Sequence, residues 1–256
     1  MGVIHDAVAL LDNALFPRIC EICGWTSRIH GLCDSCLEAI ANDPEEVCRR
    51  CGRIWPNAPA EPGLSAAIHS CPSCRGRPQS YEAAVALGPY TGSLRRLCLA
   101  LKHPYQGWLA PTLMTALLER HRDWIDAWIA QSGSRRPPAV VAIPLHWTRF
   151  LVRGYNQAEA LAAVLARRLG LPRLKVLRRV RATPRLAPLA ASRRAVELRR
   201  AFVLRRPAHA IANRDVLLVD DVLTSGATCG AAARLLRQAG AKRVLVVVVA
   251  RAEVPR

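Results

Sequence analysis

From residue 81 onward, short apolar runs alternate with amphipathic segments. The apolar runs have strand length and are rich in Val, Leu and Ile, and they predict β-strands at 83–87, 139–143, 216–219 and 244–249. Apolar residues at helical spacing between these runs predict helices at 92–101, 108–128 (as one helix or two), 157–169 and 227–239. Strands that alternate with helices and lack a polar face indicate an α/β domain built on a parallel sheet.

The chain before this point has few large apolar side chains and no comparable alternation. Residues 1–16 place acidic side chains inside an apolar pattern of helical period, which predicts an amphipathic helix rather than a signal peptide. The change of pattern at 78–81 predicts two domains. They are a small module at 1–80, which includes the N-terminal helix, and the α/β domain at 81–256.

Composition and charge limit the class of protein. Of the 256 residues, 51% are hydrophobic and 22% are charged, which excludes global disorder. No apolar run approaches the roughly 18 residues of a membrane-spanning helix, so we expect a soluble, cytoplasmic protein. The net charge is +18. Twelve cations and one acid lie within 173–206, which indicates either a solvated face in an Arg-rich chain or a surface for phosphates.

Eight of the ten cysteines form four Cys-x-x-Cys pairs. Two such pairs supply the four thiolates of a tetrahedral Zn²⁺ site, so the sequence predicts two structural zinc sites in a segment too poor in apolar residues to fold alone. Sequential pairing closes the shorter loops, although an interleaved pairing is also compatible with the spacing. The sequential sites would be Cys20, Cys23, Cys33 and Cys36, and Cys48, Cys51, Cys71 and Cys74. The other two, Cys98 and Cys229, are predicted to be small buried side chains.

The segment after the predicted strand at 216–219 carries the most distinctive polar chemistry. Two adjacent acids are followed by a hydroxyl-rich turn and the start of a helix. Ligands bind at the carboxyl ends of strands in α/β sheets, and the N–H groups of a helix N-terminus favour a phosphate. Because carboxylates repel a phosphate but accept hydrogen bonds from neighbouring hydroxyls, the pattern predicts a ribose 5-phosphate site. Its residues would be Asp220, Asp221, Thr224, Ser225, Gly226, Ala227 and Thr228.

Segment 216–228 resembles the phosphoribosyl-pyrophosphate motif of type I phosphoribosyltransferases. Further matches, together with a cysteine-paired zinc module ahead of the α/β domain, resemble the ComF family of ComFC-like and GntX-like proteins. These matches are Leu101-Lys102-His103, Ile143-Pro144-Leu145-His146, Arg149 and Arg153-Gly154-Tyr155-Asn156-Gln157. The resemblance covers essentially the whole chain. It implies a type I phosphoribosyltransferase-like domain with a parallel sheet, preceded by a small double zinc-ribbon module in which four cysteines hold each zinc ion.

The resemblance also implies roles for individual residues. The loop that would face the pyrophosphate consists of Pro144, Leu145 and His146. The catalytic residues would be Asp220, Asp221, Lys102 and Arg153. Mg²⁺ would bind together with phosphoribosyl pyrophosphate, largely through ligand oxygens and waters. Asn156 would either cap the following helix or contact the ligand.

One region departs from the family pattern. Leu186 and Glu197 stand where ComF-like proteins tend to have Gln and Asn. Both differences remove amide groups that could hydrogen-bond a ligand, and they weaken any inference about what that region recognises.

Two functions follow as expectations. As an enzyme, the chain would transfer a phosphoribosyl group to an acceptor that the sequence does not identify, with a family link to DNA uptake in natural transformation or to nucleotide metabolism. As a non-catalytic alternative, the site would sense a phosphoribosyl ligand while the zinc module and basic surface bind single-stranded DNA and DNA-uptake proteins. With 6 Trp, 4 Tyr and 3 Phe, few exposed aromatic side chains are expected for base stacking.

Overall fold

The computed structural model describes residues 19–27, 32–41, 47–55, 70–76, 78–104, 106–182, 200–205 and 208–252. Two of the sequence-based predictions lie outside these residues. They are the amphipathic helix at 1–16 and the departure from the family pattern at Leu186 and Glu197.

A four-stranded parallel sheet forms the centre of the α/β domain and confirms the predicted fold class. In chain order the strands are β1 (Ala83–Pro89), β2 (Ala139–Ala142), β3 (Leu177–Arg179), β4 (Phe202–Leu204), β5 (Val216–Leu223) and β6 (Val244–Arg251). The order within the sheet is β1-β6-β5-β2, and β3 and β4 form a separate antiparallel pair. Every residue of β6 is buried, as expected for a central strand covered by helices.

The observed helices agree with the predicted ones wherever the segment is long enough to show a hydrophobic period. In chain order they are α1 (Asp34–Ala41), α2 (Gly92–Ala100), α3 (Leu109–Ala130), α4 (Trp147–Arg153), α5 (Gln157–Leu169) and α6 (Ala227–Gln238). The predicted segment 108–128 is one helix, because Pro111 lies in its first turn, where a missing N–H breaks no hydrogen bond. None of the helices in the described ranges is long and apolar enough to span a membrane.

The hydrophobic core lies between the sheet and these helices. Helix α5 packs against β2, β5 and α3, while α6 packs against β5 and β6. Cys98 and Cys229 are buried in this core, as the sequence predicted. Elements α1, α4, β3 and β4 were not predicted, because each has too few residues for a hydrophobic period to stand out.

Strand β5 is longer than predicted, and this difference shapes the site. The sequence predicts a strand that ends at Val219, but β5 continues through both acids to Leu223. The extension occurs because β6 goes on pairing with it, with Asp220 opposite Val248 and Leu223 opposite Arg251. Strand β2 ends at Ala142, opposite Val219. The two acids therefore project beyond the end of one neighbouring strand while the other neighbour still supports them.

The outer edge of β1 is covered by the second cysteine cluster and by α3. The Ala84 N–H donates to the Arg49 carbonyl at 2.7 Å. The His121 Nε2–H donates to the Ala86 carbonyl at 2.8 Å, and the Arg120 guanidinium donates to the Leu87 carbonyl at 3.2 Å. An uncovered edge strand would expose these groups to pairing with other chains. The cysteine segment thus completes the sheet rather than only preceding it.

His121 must be neutral to make these contacts. Its Nε2 donates to a carbonyl, while its Nδ1 lies 3.1 Å from the Arg49 guanidinium and therefore accepts. Burial, together with repulsion from Arg49 and Arg120, lowers the pKa of His121 to about 3. In the unfolded chain these effects are absent, so the histidine titrates at its ordinary value near 6.5.

We predict that His121→Gln reduces the acid sensitivity of the protein. Because only the unfolded wild type binds the proton below pH 6.5, His121 removes about 1.4 kcal/mol of unfolding free energy per pH unit until the folded pKa is reached. The glutamine amide can still donate to Ala86 but does not titrate. Urea unfolding between pH 7 and pH 5 should give a shallower pH slope for the variant. Equal slopes would contradict a buried neutral His121.

Candidate functional site

The eight paired cysteines form two clusters of four, and the sequential pairing is confirmed. Within each cluster the four sulfur atoms lie within 4.8 Å of one another, grouped as Cys20, Cys23, Cys33 and Cys36, and as Cys48, Cys51, Cys71 and Cys74. Individual Sγ–Sγ separations are 3.6 Å for Cys51–Cys71 and 3.7 Å for Cys48–Cys74. Four Zn–S bonds of ~2.3 Å in a tetrahedron place the sulfurs about 3.8 Å apart. The donor sets therefore fit two closed, structural Zn²⁺ sites.

The same backbone turn builds the first half of each cluster. The N–H of Gly24 donates to the Cys20 carbonyl at 2.9 Å, and that of Gly52 donates to the Cys48 carbonyl at 2.7 Å. Both glycines have a positive φ, +76° and +70°, which other residues rarely adopt. These turns direct the two thiols of each Cys-x-x-Cys pair toward one point.

We predict two zinc ions per chain and unequal consequences of losing them. Cys23→Ser and Cys48→Ser should each reduce the zinc content by one, measured by elemental mass spectrometry on the purified protein. Cys48→Ser should lower the melting temperature more, by about 5 °C or beyond, since its cluster is fully buried and covers β1. Equal losses of stability would contradict a structural role of the second cluster in the sheet.

The acid pair on β5 lies at the centre of a network of polar side chains. Lys102 Nζ lies 3.0 Å from Asp221 Oδ2, and the Gln157 amide donates to the same oxygen at 3.4 Å. Arg153 donates to the Gln157 Oε1 at 3.1 Å. The structure therefore brings together three of the predicted catalytic residues, and Gln157 connects them. Gln157 lies within the predicted motif at 153–157. Nothing in the neighbouring sequence distinguished it from an ordinary first residue of a helix.

The charges of Lys102 and Asp220 respond to this arrangement. Burial opposes the charge of Lys102, but attraction to Asp221 outweighs it and raises the pKa of the ammonium group. Burial and repulsion from Asp221 raise the pKa of Asp220 well above its usual range, and Lys102 offsets this only in part. In the absence of a ligand this favours the protonated form of Asp220, and a divalent cation or hydroxyl donors beside the pair would favour its charged form.

Arg179 belongs to the site, but the sequence did not identify it as an individual site residue. It is buried on β3, its guanidinium stacks 5.5 Å from the Phe202 ring centre, and it interacts electrostatically with Asp220 and Arg149. Burial and repulsion from Arg149 lower its pKa. The sequence marked only the basic segment 173–206 as a phosphate surface. Because β3 pairs with β4, Arg179 is the cation of this segment that lies against Phe202 and interacts with Asp220.

The loop after β5 presents donors at the start of α6. Thr224 and Ser225 are exposed, and Gly226 has a φ of +79° at the N-cap position of the helix. Glycine brings no side chain to cap the first turn, so the N–H groups there remain accessible to a ligand. A Cβ at Gly226 would also lie 3.0 Å from the Tyr81 hydroxyl. Both the backbone conformation and this close approach favour glycine.

The segment 144–146 begins beside the acid pair, because the Ile143 N–H donates to the Val219 carbonyl at 2.9 Å. His146 is buried and caps α4, with its Nδ1 2.8 Å from the Thr148 hydroxyl. Asn156 caps α5 through the Ala158 N–H, so its structural role is confirmed, and its amide donates to the Ile143 carbonyl at 3.0 Å. The side chain of His146 is thus engaged in capping α4.

Two exposed aromatic side chains lie on α4. Trp147 and Phe150 expose 63% and 48% of their surfaces, and Trp25 near the first cysteine cluster exposes 75%. Three exposed aromatic side chains in the described part of the chain agree with the expectation of few, but the sequence did not show that two of them lie together on α4. Because α4 has only seven residues, no hydrophobic period marks it in the sequence.

We predict opposite effects of the two acids on the stability of the ligand-free protein. Asp220→Asn should raise the melting temperature by about 2–4 °C, or roughly 1 kcal/mol, because it removes a carboxylate with a raised pKa. The increase in melting temperature caused by Asp220→Asn should become larger as the pH rises above the ordinary carboxyl pKa. Asp221→Asn should lower the melting temperature by a similar amount, since Lys102 would lose its partner. Differential scanning fluorimetry measures both shifts.

The exposed Asp126, paired with Arg122 on α3 at 2.6 Å, offers a matched control. Asp126→Asn should change the melting temperature little, because exposed ion pairs contribute little. A destabilising Asp220→Asn would contradict the charge balance described for the pair.

Two cysteine clusters ahead of a parallel α/β sheet, with an acid pair and a glycine-capped helix after β5, define a zinc-ribbon protein with a phosphoribosyltransferase-type domain. The family profile of the Phosphoribosyl transferase domain matches residues 155–255, and that of the Double zinc ribbon domain matches residues 11–75. Competence protein F of Haemophilus influenzae is 32% identical over 224 residues, which cover 87% of this chain and 91% of that protein. The chain belongs to the ComF family.

Other comparisons give further relatives and one solved structure. The DNA utilization protein YhgH of Salmonella typhimurium is 30% identical over 235 residues, covering 90% of this chain and 95% of that protein. YhgH of Escherichia coli K12 is 29% identical over 238 residues with the same coverage. The crystal structure of TT1426 from Thermus thermophilus aligns with 56% of this chain and 72% of its own at 23% identity, with a TM-score of 0.29.

Proposed function

We propose that this chain binds phosphoribosyl pyrophosphate with Mg²⁺ at the carboxyl end of β5, and that it acts in the uptake or utilization of DNA. The observation that carries the first half is the acid pair followed directly by a glycine-capped helix. The second half rests on the names of the relatives, which are a competence protein and DNA utilization proteins. The cytoplasm, where phosphoribosyl pyrophosphate and reduced thiols occur, is the proposed location.

The 5′-phosphate binds to the loop at 224–228, which we name the phosphate loop. Its hydroxyl groups on Thr224, Ser225 and Thr228 donate hydrogen bonds, and the N–H groups at the start of α6 add further donors. The positive end of the helix dipole favours the phosphate charge. Gly226 lets the backbone approach the ligand and the Tyr81 hydroxyl at the same time.

The ribose 2′- and 3′-hydroxyls donate to Asp220 and Asp221. Asp221 already accepts from Lys102 and Gln157, so its orientation is fixed before the ligand binds. The raised pKa of Asp220 reflects the cost of a second buried negative charge beside Asp221, and a Mg²⁺ ion bound with the ligand would offset that cost. When bound, Mg²⁺ neutralises charge on the pyrophosphate.

In the transferase reaction the bond from C1 of the ribose to a pyrophosphate oxygen breaks, and a bond from C1 to the acceptor forms. The oxygen takes the electron pair, so negative charge grows on the leaving group. Lys102 and Arg153 stabilise this charge, and the backbone at 144–146 orients the pyrophosphate. The protein needs no nucleophile of its own. It positions two reactants, which is itself a large part of such catalysis.

Calorimetric titration of phosphoribosyl pyrophosphate and Mg²⁺ tests the site. The zinc-loaded wild type should bind saturably, and the double variant Asp220→Asn/Asp221→Asn should bind at least about tenfold more weakly, since charge-assisted hydrogen bonds contribute about 1.5–3 kcal/mol each. Asp126→Asn, which changes an exposed acid on α3, should bind like the wild type. Absence of binding to the folded wild type would overturn the proposal.

A second function, binding of single-stranded DNA, is favoured by the exposed face of α4. Trp147 and Phe150 are exposed beside Arg149 in a chain of net charge +18. Aromatic side chains stack on bases, and arginines bind the phosphates between them. DNA would then pass next to the phosphoribosyl site, since α4 follows the segment 144–146 directly.

Fluorescence anisotropy with a labelled oligothymidylate tests this second function. Trp147→Ala should weaken binding by about 1–3 kcal/mol, and affinity should fall steeply between about 50 and 200 mM salt. Trp25→Ala, which removes a still more exposed tryptophan elsewhere, is the control and should have a smaller effect. An equal loss in both variants would place the DNA elsewhere than on α4.

A further inference from the structure

Arg251, the last residue of β6, connects the second cysteine cluster to the phosphate loop. It is 6% exposed in spite of its charge. Its Nε donates to the carbonyl of Cys51 at 2.9 Å. Its Nη1 donates to the carbonyl of Leu223 at 2.7 Å and to that of Thr224, the first residue of the phosphate loop. One planar group thus holds a cysteine of the cluster and the loop at the same time.

The geometry requires an arginine. The guanidinium nitrogens point in fixed directions, so contacts made by Nε and Nη1 constrain each other. A lysine ammonium on a flexible stem can reach one of these sets of carbonyls but does not impose a fixed spacing between the two. Burial of the guanidinium is tolerated because partial negative charges of backbone carbonyls surround it.

On the cluster side, the position of the Cys51 carbonyl depends on the metal. Cys51 is one of the four ligands, and Gly52, which follows it in the turn, has a positive φ of +70°. A Cβ at Gly52 would lie 3.7 Å from Arg251 Cδ, so the turn packs directly on the arginine. Small metal clusters of this kind lose their fold when the metal leaves.

On the loop side, few other contacts restrain the backbone. Thr224 and Ser225 are exposed, and the Ala227 N–H makes only a long bond of 3.4 Å to the Ser225 hydroxyl. The Ala252 N–H donates to the Leu223 carbonyl at 2.9 Å and holds the end of β5. Further along, the Gly230 N–H donates to the Gly226 carbonyl at 2.7 Å, and the contact from Arg251 holds Thr224 at the start of the loop.

We propose that Arg251 is a positioning residue, through which metal in the second cysteine cluster holds the phosphate loop in its ligand-binding shape. This inference rests on the proposed phosphoribosyl site. By thermodynamic reciprocity, a ligand in the loop then increases the zinc affinity of the second cluster. The first cluster, which has no such connection among the described residues, is not coupled to the ligand.

Hydrogen exchange without any ligand tests the connection itself. In zinc-loaded Arg251→Lys, amides of 223–229 should exchange roughly tenfold faster than in the wild type, while those of 244–249 in the sheet core stay unchanged. Arg214→Lys is the matched control, since Arg214 also donates to a backbone carbonyl, that of Pro137 at 2.6 Å, and makes no contact with the loop among the described residues. Zinc content and a cooperative melting transition verify that each variant is folded. Unchanged exchange of the loop in folded Arg251→Lys would overturn the inference.

Zinc affinity tests the coupling. In equilibrium competition with a chromogenic chelator, phosphoribosyl pyrophosphate and Mg²⁺ should raise the affinity for one of two zinc ions by roughly fivefold or more in the wild type, and not in Arg251→Lys. The Cys23→Ser variant, which keeps only the second cluster, should retain the effect. An equal increase in zinc affinity in wild type and Arg251→Lys would contradict the role of this residue.

The two proposals fail in distinguishable ways. If the wild type does not bind phosphoribosyl pyrophosphate but loop exchange accelerates in Arg251→Lys, the proposed ligand is wrong and the connection is retained. If the wild type binds it and Arg251→Lys binds equally well with unchanged loop exchange, the inference about Arg251 is wrong and the ligand site is retained.

Discussion

The free edge of β1 is the constraint on which much of this structure depends. A sheet of four strands has two edges, and the backbone groups of β1 would be unsatisfied or open to other chains if nothing covered them. The carbonyl of Arg49, the imidazole of His121 and the guanidinium of Arg120 meet this requirement. Because Arg49 lies in the turn of the second cysteine cluster, the metal-binding segment is part of the sheet's hydrogen-bond network. Zinc bound by this cluster would therefore link metal binding to the folding of the α/β domain.

The candidate site results from the unequal lengths of the two strands that flank β5. Strand β6 supports β5 as far as Leu223, whereas β2 leaves it at Val219. The intervening acids are held firmly on one side and are open on the other, where Gln157, Lys102 and the segment 144–146 approach. A second buried carboxylate beside Asp221, as at Asp220, reduces the stability of the ligand-free fold, and proteins accept such losses where a ligand or cation later relieves them.

The site could be predicted from sequence only in part. Asp220, Asp221 and the phosphate loop form one continuous run, so their order along the chain already shows their proximity. Gln157, Arg179 and Arg251 reach the same region from α5, β3 and the end of β6. Their partners are tens to hundreds of residues away, and no local pattern marks one arginine among many as the one that reaches Thr224. The exposed aromatic face of α4 was missed for a similar reason, because a helix of only seven residues is too short to show a clear period.

What the sequence determined by itself was therefore local or periodic. The spacing of the cysteines, the alternation of strands with helices and the run of acids, hydroxyls and glycine each require only neighbouring residues, and short-range geometry makes their meaning nearly independent of context. Tertiary structure decided how far β5 extends, which charges surround Asp220 and how the second cysteine cluster meets the sheet. These features arise from the register of distant strands and from burial, which shifts the pKa of a carboxyl or an imidazole only after the chain has closed around it.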